Sequence, residues 1–253
     1  MELQKNCAKD RLILALDVDT IEEAQDLVYE LKDYVGIFKV GLQLFTSTGP
    51  EIIKLIHGEG GKIFFDGKFH DIPNTVAKAS ANLIKHGVTF FNMHIQGGSK
   101  MLATSIKLAK ETARRYDKPK PTILGVTLLT SFGQRTLTEE LEVDNNIDDY
   151  VGNLAKLAKD SGLDGVVASA TDIPKIRKTC GDDFIILCPA IRPTWSVVND
   201  QIRVVTPTDA IKAGVDYMVI GRPITAAKDR ASAARLIIDE IEEALVQQKE
   251  TVK

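Results

Sequence analysis

Lys62-Ile63-Phe64-Phe65-Asp66-Gly67-Lys68-Phe69-His70-Asp71-Ile72-Pro73-Asn74-Thr75 holds, in one run, a buried strand, a charged strand end and the start of a helix. Lys62–Phe65 is short, β-branched and aromatic, as strands covered on both faces are. Asp66 and Lys68 follow where packing alone predicts a turn residue or another aliphatic. If the backbone stays extended through Gly67, both side chains face the same way, because strand side chains alternate with period two. Asp71 lies in a turn that Pro73 and Asn74 mark as leading into a helix. Its carboxylate is placed to reach the same pocket or a neighbouring subunit.

The layout repeats along the chain. Apolar runs at Leu12–Leu16, Ile37–Val40, Phe90–Met93, Thr122–Thr127, Gly165–Ala168, Phe184–Leu187 and Tyr217–Ile220 complete a set of eight predicted strands. Amphipathic segments lie between them. Thr20-Ile21-Glu22-Glu23 reads as a capping box, followed by a helical stripe of Ile21, Ala24, Leu27, Val28 and Leu31. Ala234, Ile237, Ile238, Ile241 and Leu245 form another. Gly87, Gly162 and Gly214 each stand between a predicted helix and a new strand, the place for a left-handed stop. Ser131–Ile147 and Pro189–Thr206 lack periodicity and are expected to be long, lid-like loops.

This alternation, without linker or composition break, predicts one α/β domain over residues 1–253, a (β/α)8 barrel. An open doubly wound sheet alternates in the same way. The lack of GxGxxG after the first strand weighs against its dinucleotide-binding form.

Composition narrows the partners. With 44% hydrophobic and 26% charged residues, the chain is an ordinary globular one. A net charge of −3 without a block of like charge argues against nucleic acid or an anionic membrane, so an anionic small molecule would need a few focused cations. Cys7, Cys180 and Cys188 show no CxxC spacing and cannot all pair, which predicts free thiols and a reducing compartment. The first residues have no apolar core of a signal peptide, and no apolar run is long enough to span a bilayer; a cytoplasmic location is expected.

In barrels of this class the chemistry sits at the C-terminal ends of the strands. Those ends carry Asp17, Lys39, Asp66 and Lys68, four charges of alternating sign on the first three strands. An ion-pair network that fills the strand ends is one reading; a reactive site is the other, favoured because clustered buried charge is costly without a use. Gly221-Arg222 after the eighth strand suits phosphate, with backbone amides and a two-pronged donor. Arg192 and Gln201, after the seventh strand, either close over the same phosphate or stay solvated. His57 and His86 are expected near helix ends, His94 either packs or lines the site, and Trp195 reads as a lid contact. The four histidines have no metal-like spacing, and no Walker loop, GxSxG elbow or HExxH is present.

Asp66-Gly67-Lys68-Phe69-His70-Asp71-Ile72-Pro73-Asn74-Thr75 resembles the D-x-K-x-H-D-I-P-N-T signature of the bacterial-type orotidine 5′-monophosphate decarboxylase family. The resemblance extends to Leu14–Asp17, Phe38–Gly41, Thr127–Ser131, Pro189–Arg192, Gln201, Thr206-Pro207 and Ile220–Ile224; Ala190 stands where many members have glycine. It implies a homodimeric barrel acting on orotidine 5′-monophosphate without metal or organic cofactor. It also implies Lys68 as proton donor, flanked by Asp66 and by Asp71, with Asp71 and Thr75 supplied across the subunit interface. Asp17 and Lys39 then resemble ribose-side contacts, with Lys39 also in the charge network. Thr130 and Ser131 match the pyrimidine loop, and Arg192, Gln201, Gly221 and Arg222 the phosphate grip. Two rivals share parts of this pattern. One is a Mg²⁺-dependent enzyme like 3-keto-L-gulonate 6-phosphate decarboxylase; the other is a barrel that binds a nucleotide without catalysis.

Overall fold

The structure is a computed structural model that describes residues 7–196 and 205–251. Its strands are β1 (Leu12–Ala15), β2 (Ile37–Gly41), β3 (Lys62–Phe69), β4 (Phe90–His94), β5 (Thr122–Val126), β6 (Gly165–Val167), β7 (Ile185–Cys188) and β8 (Tyr217–Ile220). They follow one another in sequence order around a closed barrel, and the pairings are parallel. Closure decides against the open doubly wound sheet. The chain divides into two compact units, one made of the residues up to Gly67 with those from Cys188 onward, the other of Lys68–Leu187.

In the first unit, Ala15 pairs with Lys39 and Gly41 with Asp66, while Leu14 is in register with Ile220. The Leu16 N–H carries the ladder one step further, donating to the Lys39 carbonyl at 3.1 Å. The helix Ile21–Leu31 starts at the expected capping box: Thr20 accepts from the Glu23 N–H, and Glu23 accepts from the Thr20 N–H, both at 3.2 Å. Its stripe buries Ala24, Leu27, Val28 and Leu31. The C-terminal helix Arg230–Thr251 does the same with Ala234, Ile237 and Ile241.

In the second unit, β4 to β7 pair in succession. A β-carbon at Gly165 would lie 2.2 Å from the Ile185 carbonyl oxygen, so only glycine lets β6 and β7 come this close. Pro73 opens the helix Pro73–Lys85, where its missing N–H costs nothing. Gly87 and Gly162 here, and Gly214 in the first unit, have φ of 79°, 87° and 99°, the left-handed stops expected from their positions.

Two expectations need correction. β3 runs four residues past its apolar run, because backbone pairing does not require an apolar side chain. The stretch after Ser131 is also less irregular than its pattern implies. It holds a π-helical turn, Thr136–Glu140, with Leu137 fully buried. Gln134 staples this segment, donating to the Asn145 carbonyl and accepting from the Ile147 N–H, each at 2.8 Å. One apolar anchor and one glutamine carry no periodicity to read.

Candidate active site

The first unit assembles three of the expected charges. Lys39 is 8% exposed within β2, and its Nζ lies 2.9 Å from Asp17 Oδ1 and 3.6 Å from Asp66 Oδ2. The register explains the grouping, since β1 and β3 flank β2, Asp66 lies within β3 in register with Gly41, and Asp17 follows β1 by two residues. Burying an ammonium is tolerable here because two acids compensate it. Asp17 is much more exposed than Asp66, leaving an open carboxylate face for a polar ligand. Gly41 belongs to the same cluster: a β-carbon there would stand 3.0 Å from Lys39 Nζ.

Gly221 follows β8, where a β-carbon would meet that of Ala15 at 3.3 Å and Asp17 Oδ2 at 3.9 Å. Exposed Arg222 opens the short helix Arg222–Thr225. Arg192 is half-buried, and its N–H donates to the Val205 carbonyl at 3.1 Å. Gln201 lies outside the described residues. Ala190 has a φ of 62°, in the left-handed region that favours glycine. Trp195 is exposed in a 3₁₀ turn, Thr194–Ser196.

In the second unit, Lys68 itself is left-handed, with a φ of 47°. Strand alternation therefore does not set the direction of its side chain, and the extended-chain premise stops at Gly67. The Lys68 N–H donates to Asn92 Oδ1 at 2.8 Å. The next two side chains make ring contacts: Phe69 with Phe91 at 6.5 Å and His70 with His94 at 5.3 Å between centroids. His94 is thus half-buried against another ring. Asp71 is exposed and accepts from the Ile72 N–H at 2.6 Å, and Thr75, Thr130 and Ser131 are exposed as well. Ile72, beside Asp71, is a large apolar side chain left 67% exposed.

One strand-end carboxyl went unforeseen. Asp172 follows β6, and burial pushes its pKa up while the Ser169 N–H opposes the shift. It closes a capping box with Ser169, which accounts for it structurally. All three cysteines are free. Among the described residues, no three His, Cys, Asp or Glu side chains are grouped to hold a metal, and no helix is long and apolar enough to cross a membrane.

Residues 10–237 match the family described as orotidine 5′-phosphate decarboxylase / HUMPS. The chain belongs to this family. It is 45% identical over 241 residues to the orotidine 5′-phosphate decarboxylase of Moorella thermoacetica, covering 95% of this chain and 96% of that one. It is 46% identical to the namesake protein of Syntrophotalea carbinolica, covering 94% and 97%. The crystal structure of orotidine 5′-phosphate decarboxylase from Lactobacillus acidophilus superposes with a TM-score of 0.79 at 36% identity, over 91% of this chain and 98% of that one. The orotidine 5′-phosphate decarboxylase family thus spans both units, and its match begins just before β1 and ends within the C-terminal helix.

Proposed function

We propose that the chain decarboxylates orotidine 5′-monophosphate to UMP, the closing step of de novo pyrimidine nucleotide synthesis, acting as a single catalytic domain. Family membership supports the reaction. The observation that carries the site is Lys68: a lysine in a costly left-handed conformation, two residues beyond Asp66 of the Asp17–Lys39–Asp66 cluster. Backbone strain of this kind persists where the surrounding structure imposes it, and it gathers at functional positions.

The chemistry asks for such a group. Loss of CO₂ from C6 of the pyrimidine leaves an electron pair in an sp² orbital that the ring cannot delocalise. Stabilisation must come from charge placed beforehand. The Lys68 ammonium offsets the developing negative charge and then donates a proton to C6. Asp66 and Asp71 flank this ammonium and aim it at C6. Lys39, Asp17, Thr130 and Ser131 hold the ribose and base. Arg192, Gln201, Gly221 and Arg222 hold the phosphate, whose remote binding energy positions the reacting base. No cofactor is required by this scheme.

A homodimer completes the site, with Asp71 and Thr75 facing the partner copy. The exposed Ile72 beside Asp71 supports an apolar contact there. Mixing inactive Lys68→Ala and Asp71→Ala chains should restore some activity through heterodimers with one intact site; no recovery despite demonstrated subunit exchange would place Asp71 in its own subunit's site. Three free thiols support a cytoplasmic location. The deciding assay is the loss of orotidine 5′-monophosphate absorbance on adding purified protein in the presence of a chelator. Activity that needs Mg²⁺, on a sugar-phosphate acid instead, would favour the 3-keto-L-gulonate 6-phosphate type of enzyme.

A further inference from the structure

We infer that Asn92 is a positioning residue for the decarboxylation, acting through the backbone of Lys68; the inference rests on the role proposed above for Lys68. Asn92 lies in β4 between Phe91 and Met93, and all three residues are 0% exposed. A buried carboxamide among apolar neighbours is costly unless its polar atoms are matched. Its Oδ1 accepts the Lys68 N–H at 2.8 Å. Because that partner is a donor, the amide must present its oxygen, which fixes its orientation.

The bond falls where the backbone leaves regular strand geometry. Lys68 has a φ of 47° within β3, and a residue so turned still needs an acceptor for its N–H. Oδ1 supplies one from the interior of a neighbouring strand. A side chain locked by burial in a strand is a more rigid anchor than one from a loop. Asn92 therefore helps to fix the left-handed backbone from which the Lys68 side chain projects, without itself touching the reacting atoms. The alternative is a buried amide that serves packing only.

The test compares wild type, Asn92→Leu, Asn92→Asp and Lys68→Ala in steady-state decarboxylation and in UMP binding. Asn92→Leu keeps the volume and removes the acceptor. It is expected to lose about 10²-fold in kcat, the order seen when a reacting group is misplaced by an ångström, with KM and UMP affinity nearly unchanged. Asn92→Asp keeps an oxygen at the accepting position in either protonation state and should recover most of that loss. Wild-type kcat in the leucine variant, a loss confined to KM and UMP affinity, or no recovery in a folded aspartate variant would each overturn the inference. Should Asn92→Leu not fold, amide hydrogen exchange in the wild-type protein decides: the Lys68 N–H should exchange far more slowly than that of exposed Asp71, and equal rates would sink the proposal. Normal turnover in Lys68→Ala would remove the role of Lys68 and this inference with it. Loss in Lys68→Ala beside an unaffected Asn92→Leu would remove only the inference.

Discussion

Two lysines on successive strands differ in their backbones. Lys39 sits in regular strand backbone, and its side chain is pinned by Asp17 and Asp66. Lys68 is constrained through its main chain, which is left-handed and tied to Asn92 by its N–H. Ion pairing explains the first lysine: a buried cation is retained because acids flank it. It does not account for the left-handed backbone of the second. A left-handed residue with a β-carbon is disfavoured by about 1–2 kcal/mol, and a different residue type would relieve much of that. On the proposed mechanism the position requires an ammonium whatever its backbone costs.

Ala190 provides a control for that argument. It is also left-handed, with a φ of 62°, yet its methyl group can bring no charge to a ligand. Strain at Lys68 accompanies a charged group that the proposed mechanism uses, whereas strain at Ala190 accompanies none.

The largest effect expected is at Lys68. Lys68→Ala should lower kcat by at least about 10⁴-fold, the upper range for a lost general acid, while UMP affinity measured by calorimetry stays within a few-fold of wild type. Near-normal kcat would erase the distinction between the two lysines. Asp66→Ala should strike Lys39 as well as the reaction. It is expected to cost about 10²–10³-fold in kcat, as for a lost preorganised charge. It should also destabilise by up to about 3 kcal/mol, because a nearly buried ammonium loses one of its acids. Unchanged urea unfolding would show that Asp17 alone suffices for Lys39.

Arg222→Ala tests an exposed cation outside both arrangements. The loss of a charged hydrogen bond to phosphate should lower kcat/KM by about 10–10²-fold with no change in melting temperature. An unchanged kcat/KM would place Arg222 away from the phosphate. The smallest effect is at Ala190. Ala190→Gly should stabilise by about 1 kcal/mol, raising Tm by about 2–4 °C in a chain of this size. A lower Tm would mean that the left-handed turn is not under strain.

Much of the candidate site was legible because its residues interrupt a pattern. Asp17, Lys39 and Asp66 stand where apolar strand runs end, and parallel pairing of β1, β2 and β3 brings them together. Asn92 was illegible for the converse reason. It lies inside a run read only as a strand, and nothing in the order of residues says which N–H its oxygen accepts. The shared direction expected for Asp66 and Lys68 assumed extended backbone, and the left-handed torsion at Lys68 departs from it.

The residue order alone determined eight strand–helix repeats, their glycine stops and the charges at the strand ends, since period, capping and turn chemistry act over a few neighbours. Only the tertiary structure decided that the strands close into a barrel, that Lys39 shares two carboxylates, and that Lys68 is left-handed and held by an asparagine 24 residues away. Those outcomes depend on register and on contacts between distant segments. Local preferences leave both open until the whole chain packs.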